Sequence, residues 1–225
     1  MFEQLYSLLV NRRTPRLVKP DDIPREDIEK ILNSARSAPS FDKVFPYKIH
    51  ALTNSADGKA KKEELIQFYR CGRGGKPVNS YKESFEHQEI VQPILSGLVL
   101  VYIITPQRSP FTIQTGPYRV AMQGTMDATI SATYAMISAL SLGYKAGMFC
   151  AVEGNTTENT EGVQLFSDNP NSFIAVSLTI ATDVIDVQPP SSPNYKLYYN
   201  YKGSKSFVYP NKHRDIDKTP EIVVV

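Results

Sequence analysis

Thiols and imidazoles are scarce in this chain of 225 residues: two cysteines, Cys71 and Cys150, and three histidines, His50, His87 and His213. Two cysteines without a CxxC pair make no disulfide framework and suit a reducing compartment. The histidines are too far apart, from each other and from the cysteines, to match metal-ligand spacing, so no metal site is expected. GxSxG, Walker A and GxGxxG motifs are missing. Gly72-Arg-Gly-Gly75 lacks both the preceding strand and the following Lys-Ser/Thr of a phosphate loop, and reads as a loop. The formal charge is only +2, which leaves no broad basic field for nucleic acid. No apolar run approaches the length of about 18 residues needed for a membrane span. Met1 to Val10 is short and polar and is followed by Arg12 and Arg13, unlike a secretory signal. The expectation is a cytoplasmic protein.

The residues present describe an ordinary globular domain, with 41% hydrophobic and 21% charged residues and length enough to bury a core. Phe2, Leu5, Tyr6, Leu8 and Leu9 are spaced for a short helix over Phe2 to Val10. Pro24 to Ala38 forms a second, with Glu26 and Asp27 at its positive end and Ile28, Ile31, Leu32 and Ala35 as its apolar stripe. Tyr47 to Thr53 alternates as a strand, with His50 a strand residue facing polar groups. Gly58 to Tyr69 reads as a helix, Cys71 to Ser80 as a glycine-rich loop, and Glu83 to Gln92 as a short helix. Leu98 to Thr105 is apolar on both faces and predicts a central strand. Pro106 to Pro117 is a loop. Tyr118 to Leu142 is the dominant helix, apolar around most of its surface, and Gly143 ends it at C′. Met122, Met126, Met136 and Met148 are expected to fill core gaps. Lys145 to Val152 is a short strand or turn, and Phe173 to Thr182 another strand. The order lacks βαβ regularity and predicts an α+β domain over residues 1–185. Residues 186–225 form an extended arm with Pro189, Pro190 and Pro193, a tyrosine cluster from Tyr195 to Tyr201, and a β-prone end at Ile222 to Val225.

The segment with most chemical content is Arg12-Arg13-Thr14-Pro15-Arg16, at the end of the first helix. Three guanidinium groups hold charge and bind phosphate bidentately, and Thr14 adds a hydroxyl. Taken alone it reads more readily as a solvated basic turn than as an anion site. Three further segments follow in order: Ala38-Pro39-Ser40-Phe41-Asp42-Lys43-Val44-Phe45-Pro46-Tyr47 leading into a strand; the long small-residue helix ending Ala139-Leu140-Ser141-Leu142-Gly143; and Ala146-Gly147-Met148-Phe149-Cys150-Ala151.

In that order the segments resemble the FMN-dependent nitroreductase family across residues 2 to 182. That family opens with a helix and an Arg-Arg/His-Ser-x-Arg/Lys motif. A helix ending Ala-Pro-Ser, a loop ending Gln-Pro-Trp and a central helix ending Ala-Leu-Gly-Leu-Gly follow. The resemblance implies a mostly antiparallel central sheet flanked by helices, a long buried central helix and a C-terminal arm wrapping a dimer partner. It implies that Arg12, Arg13, Thr14 and Arg16 hold the FMN phosphate and ribityl chain. Pro39 and Ser40 would approach the flavin from the partner subunit, and Met148, Phe149, Cys150 and Ala151 would pass near its ring. Lys205, with Lys202 second, would reach the phosphate. Departures gather at the ring end: Lys43 stands where the family has Asn, Phe45 where it has Gln, Tyr47 where it has Trp, and Cys150-Ala151 where many members have Gly-Gly or Glu-Gly. Lys43 near the ring would stabilise reduced anionic flavin or attract an acidic substrate.

The activity implied is ping-pong transfer of hydride from NAD(P)H, through flavin N5, to planar electron-poor acceptors such as nitroaromatics and quinones, without a side-chain catalyst. The altered ring-side residues keep two alternatives open: a specialised flavoenzyme of the same fold, or a non-catalytic FMN-binding dimer. A homodimer also has a physical reason, because the long helix is too apolar for one small domain to cover.

Overall fold

The computed structural model describes residues 2–12, 14–15, 18–40, 45–68, 92–105, 117–149, 163 and 165–183. Helix α1 (Phe2–Asn11) leads to α2 (Arg25–Arg36), strand β1 (Tyr47–Leu52) and α3 (Ala56–Phe68). A 3-10 turn (Gln92–Leu95) precedes β2 (Leu98–Ile104), α4 (Pro117–Ser141), β3 (Lys145–Phe149) and β4 (Phe173–Ala181). The four strands lie in the order β1-β2-β4-β3, and every neighbouring pair is antiparallel. This is the α+β arrangement expected from the sequence. The expected loops at 71–80 and 106–117, the helix at 83–92 and the arm at 186–225 lie wholly or almost wholly outside the described residues.

β2 is central and wholly buried, and its two faces feed two cores. Leu98, Leu100, Tyr102 and Ile104 join Ile31 and Ala35 of α2, Ala128, Ala132, Ala135 and Ala139 of α4, and Val176, Leu178 and Ile180 of β4. Val99, Val101 and Ile103 meet Leu52, Leu65, Ile94 and Val163 on the α3 side. A bulge at Tyr102/Ile103 pairs Ile103 with Ile174, so Ala175 is skipped. Ile174 can then face the second core while Val176 stays in the first.

The alanines of α4 allow α2 to lie close along it, and polar contacts fasten α2 at both ends. Tyr144 Oη donates to Asp27 Oδ2 at 2.7 Å, and Ser131 Oγ donates to the Ala35 carbonyl at 2.9 Å. The second bond joins the Ala38 N–H, at 3.3 Å, on a carbonyl in the last turn of α2. Gly143, at φ +91°, ends α4 in a Schellman motif: Tyr144 N–H donates to Ala139 O and Gly143 N–H to Leu140 O, each at 3.0 Å.

Three readings change. Helix α3 begins before Gly58, because Ser55 caps it, accepting the Gly58 N–H on Oγ at 3.2 Å. Met122 and Met126, expected as core, stand 45% and 57% exposed, on the side of α4 turned away from α2 and the sheet. His50 does not face polar groups. Its ring lies 5.0 Å from Phe166, its Nε2 is buried without a partner among the described residues, and burial followed by the Lys61 and Lys48 charges lowers its pKa.

Candidate functional site

The basic segment after α1 folds onto β3. Arg12 Nη1 donates to Thr14 Oγ1 at 3.2 Å, in a partly buried position. A methyl placed on Gly147 would fall 2.6 Å from Thr14 Cγ2 and 2.8 Å from Thr14 Cα. Only glycine at 147 therefore lets this segment close on the strand. Ala146 and Met148 pack into the α2–α4 core, so by strand alternation Thr14 covers the opposite face of β3. Buried Thr179 of β4 fixes the same point, donating its hydroxyl to the Gly147 carbonyl at 3.1 Å. Beyond Thr14 the chain continues through buried Pro15 and Val18. The Lys19 N–H then reaches the Asp183 carbonyl at 3.1 Å, and Lys19 Nζ meets Asp183 Oδ2 at 3.2 Å. The described residues Thr14, Pro15, Val18 and Lys19 are thus held against the sheet.

β3 is the outer strand beside this segment. Among the described strands, its edge away from β4 has no ladder partner. A permanent guanidinium and a hydroxyl beside an outer strand form a donor set suited to a phosphate monoester. FMN has that chemistry, and the residues present fit it.

A second cluster lies on α4. Ser40 Oγ donates to Asp127 Oδ2 at 2.7 Å and accepts the Phe45 N–H at 3.1 Å. Asp127 is buried. Phe45 sits at φ +45°, alone among the described non-glycine residues in having positive φ. One turn before Asp127, Gly124 leaves room for Pro46; a methyl there would lie 3.4 Å from Pro46 Cγ and 3.1 Å from Ile104 Cγ2. One turn after it stands Ser131. Tyr47 and Tyr102 lie beside these groups with ring centroids 5.9 Å apart. Burial raises the Tyr47 phenol, Ser131 offsets part of that, and the Asp127 charge adds to it. Burial pushes Tyr102 well above the ordinary tyrosine range. Next to the loop, a cleft of about 580 Å³ follows the outer edge of β1, lined by Leu32, Arg36, Phe45, Lys48 and His50 among others.

A model described as the nitroreductase family matches residues 9–176. The chain belongs to that family. Solved structures of similar fold include NfrA2 of B. megaterium, at 18% identity and TM-score 0.59, covering 86% of this chain and 72% of that one. NfrA1 of B. megaterium aligns at 17% identity and TM-score 0.59, covering 96% and 77%. An FMN-dependent nitroreductase from Clostridium difficile aligns at 19% identity and TM-score 0.51, covering 87% and 95%. No curated protein matches the sequence. Membership in the nitroreductase family makes this a flavin-type oxidoreductase. No described helix is long and apolar enough to cross a membrane.

Within this nitroreductase-family chain, Arg12 and Thr14 come together over Gly147, whereas the next β3 residue, Met148, packs into the core on the other face of the strand. Ser40 belongs instead to the α4 cluster, and Pro39 before it is exposed. Arg13, Arg16, Lys43, Cys150, Ala151, Lys202 and Lys205 lie outside the described residues. Among the described residues no group of His, Cys, Asp and Glu could hold a metal. Sequence reasoning overlooked Gly147 and Asp127. One signal for Asp127 was available: a lone carboxylate in a long, alanine-rich helix.

Proposed function

We propose that the protein is an FMN-dependent oxidoreductase that takes hydride from NAD(P)H and delivers it to planar, electron-poor acceptors such as nitroaromatics or quinones. The observation that carries this is the seating of Thr14 on Gly147. It sets the phosphate-type donors of Arg12 and Thr14 beside the strand whose following residues would border the ring. Arg12, with Arg13 and Arg16 adjoining it in sequence, holds the phosphate and Thr14 the ribityl chain. Met148 and Phe149, running into Cys150 and Ala151, flank the ring edge, and Lys205 or Lys202 closes on the phosphate. FMN, when bound, supplies the hydride chemistry, and the chain binds and orients it.

The working unit is a homodimer, in which Pro39 and Ser40 of one subunit complete the site of the other. Support comes from α4, where Met122, Met126, Ile130 and Tyr134 stand exposed at four-residue spacing. Phe2, Leu5, Tyr6 and Leu9 form a comparable exposed stripe on α1. The hydroxyls of Thr125, Thr129 and Thr133 bond to carbonyls one turn back, which makes that side of α4 more apolar still. The cleft on the outer edge of β1 suits the β-prone end of the arm, Ile222 to Val225, from a partner. Its Arg36 and Lys48 are of opposite charge to Glu221.

The test is the visible spectrum of the purified protein with NADPH or NADH added anaerobically. Flavin bands that bleach support the reading. Bands that persist leave FMN binding but reject the NAD(P)H reductase. No bands after soaking with FMN reject the site itself.

A further inference from the structure

The geometry points to Asp127 as a positioning residue of the cofactor site: its carboxylate holds Ser40 and, through the Ser40 hydroxyl, the Phe45 amide, and so presents Pro39 and Ser40 to the flavin. This rests on the FMN reading above, and gives a role to a carboxylate that reading does not use.

The chain of contacts is short and directional. Asp127, on a helix fixed by the main core, accepts the Ser40 hydroxyl at 2.7 Å, and the same hydroxyl accepts the Phe45 N–H at 3.1 Å. Two ends of a loop, five residues apart, are thereby fastened to one carboxylate. Phe45 is the residue that most needs fastening. Positive φ is unfavourable for a bulky residue, and a residue preceding proline ordinarily takes extended backbone at negative φ. Such a conformation persists only when its surroundings over-determine it, and it tends to occur at ligand clamps. Here the surroundings are the Ser40 hydroxyl at its amide and Pro46 seated against Gly124. A hydrogen bond accepted by an ionised carboxylate is about twice as strong as a neutral one, and burial strengthens it further. The family's usual residue at 45, as the resemblance has it, is Gln; with Phe there, the latch must act on the backbone alone.

Three variants test the role by FMN titration, with flavin fluorescence giving the dissociation constant and amide exchange at Phe45 giving the state of the loop. Asp127→Ala is expected to weaken FMN binding about tenfold and to speed Phe45 exchange, with the melting curve still cooperative. Asp127→Asn, which keeps a neutral acceptor, is expected to fall between Ala and wild type. Adding Phe45→Gly to Asp127→Ala is expected to restore most of the affinity, because glycine adopts positive φ without the latch; a merely structural loss would not be rescued this way. Ser40→Ala provides a second break if Asp127→Ala does not fold. Wild-type affinity and unchanged Phe45 exchange in Asp127→Ala, or in Ser40→Ala where that serves as the break, would overturn the positioning role while leaving the FMN reading intact. Absence of FMN binding in the wild-type chain would overturn the FMN reading and the cofactor role together.

Discussion

Two single residues carry consequences out of proportion to their size. Lys62 is 1% exposed, yet its ammonium donates to the Ser96 carbonyl at 2.6 Å and to Asn54 Oδ1 at 2.8 Å. It ties α3 to the turn after β1 and to the turn before β2. Burial, then the Lys59 charge, lowers its pKa to about 8, against a small opposing effect of Asp22. Between pH 8 and the ordinary lysine value of 10.5, the unfolded chain therefore binds more protons than the folded one, and stability rises with pH. Above pH 10 two raised phenols work in reverse: burial raises Tyr102, and desolvation with the Asp27 hydrogen bond raises partly buried Tyr144 to about 12, so folding loses stability there. Urea midpoints are expected to climb from pH 8 to 10 in wild type, and Lys62→Met is expected to remove the climb. That variant also strands two acceptors, costing about 2 kcal/mol at neutral pH. The second residue is Gly147. Gly147→Ala drives a methyl into Thr14 backbone, an overpacking of about 1–3 kcal/mol, and is expected to weaken FMN about tenfold while the melting temperature moves by only a few degrees. Equal FMN affinity would mean that Thr14 is not part of the cofactor site. Neither residue was legible beforehand. A lysine in a helix reads as solvated, and one glycine in a strand says nothing of what lies above it until the long-range contact is known.

Elements were far more legible. The apolar run at Leu98–Ile104, the alanine-rich helix up to Ser141 and the stop at Gly143 are local patterns whose physics does not wait for a partner. The limits of α3 were misplaced because Ser55, three residues before Gly58, was not weighed as a cap. The error over Met122 and Met126 has a different cause. Periodicity identifies an apolar helix but cannot tell a face covered by its own chain from one covered by something else. The Schellman cap offers a test at this scale. Gly143→Ala puts a Cβ into left-handed backbone and is expected to cost about 1 kcal/mol, a fall of a few degrees in melting temperature. Gly143→Asn is expected to lose less, since Asn tolerates that conformation. Equal losses would mean that the turn relaxes rather than holding φ.

At the scale of the whole molecule, the described residues of the candidate site fall in two places. Arg12 and Thr14 sit on the face of β3 turned away from α4, whereas Ser40 is latched to α4. The sequence resemblance assigned these segments to two subunits, and the exposed rows Met122, Met126, Ile130 and Tyr134 on α4 and Phe2, Leu5, Tyr6 and Leu9 on α1 are where a second subunit would lie. A monomer rarely exposes so continuous an apolar surface without a partner for it. If the two copies meet here, a charge in the middle of the α4 row must be desolvated on association, and that cost exceeds what a rim contact could tolerate. Met126 is 57% exposed in the single chain, so Met126→Glu leaves the fold of one subunit unstrained. The variant is expected to sediment as a monomer at micromolar concentration, to keep its far-ultraviolet circular dichroism, and to lose FMN at least tenfold because each site is then half built. Glu at Asn33, exposed on α2, serves as the control and is expected to change neither property. A Met126→Glu chain that remains dimeric would move the interface elsewhere. One that becomes monomeric but still binds FMN at wild-type strength would place the whole cofactor site within a single chain, and would end the assignment of Pro39 and Ser40 to the partner.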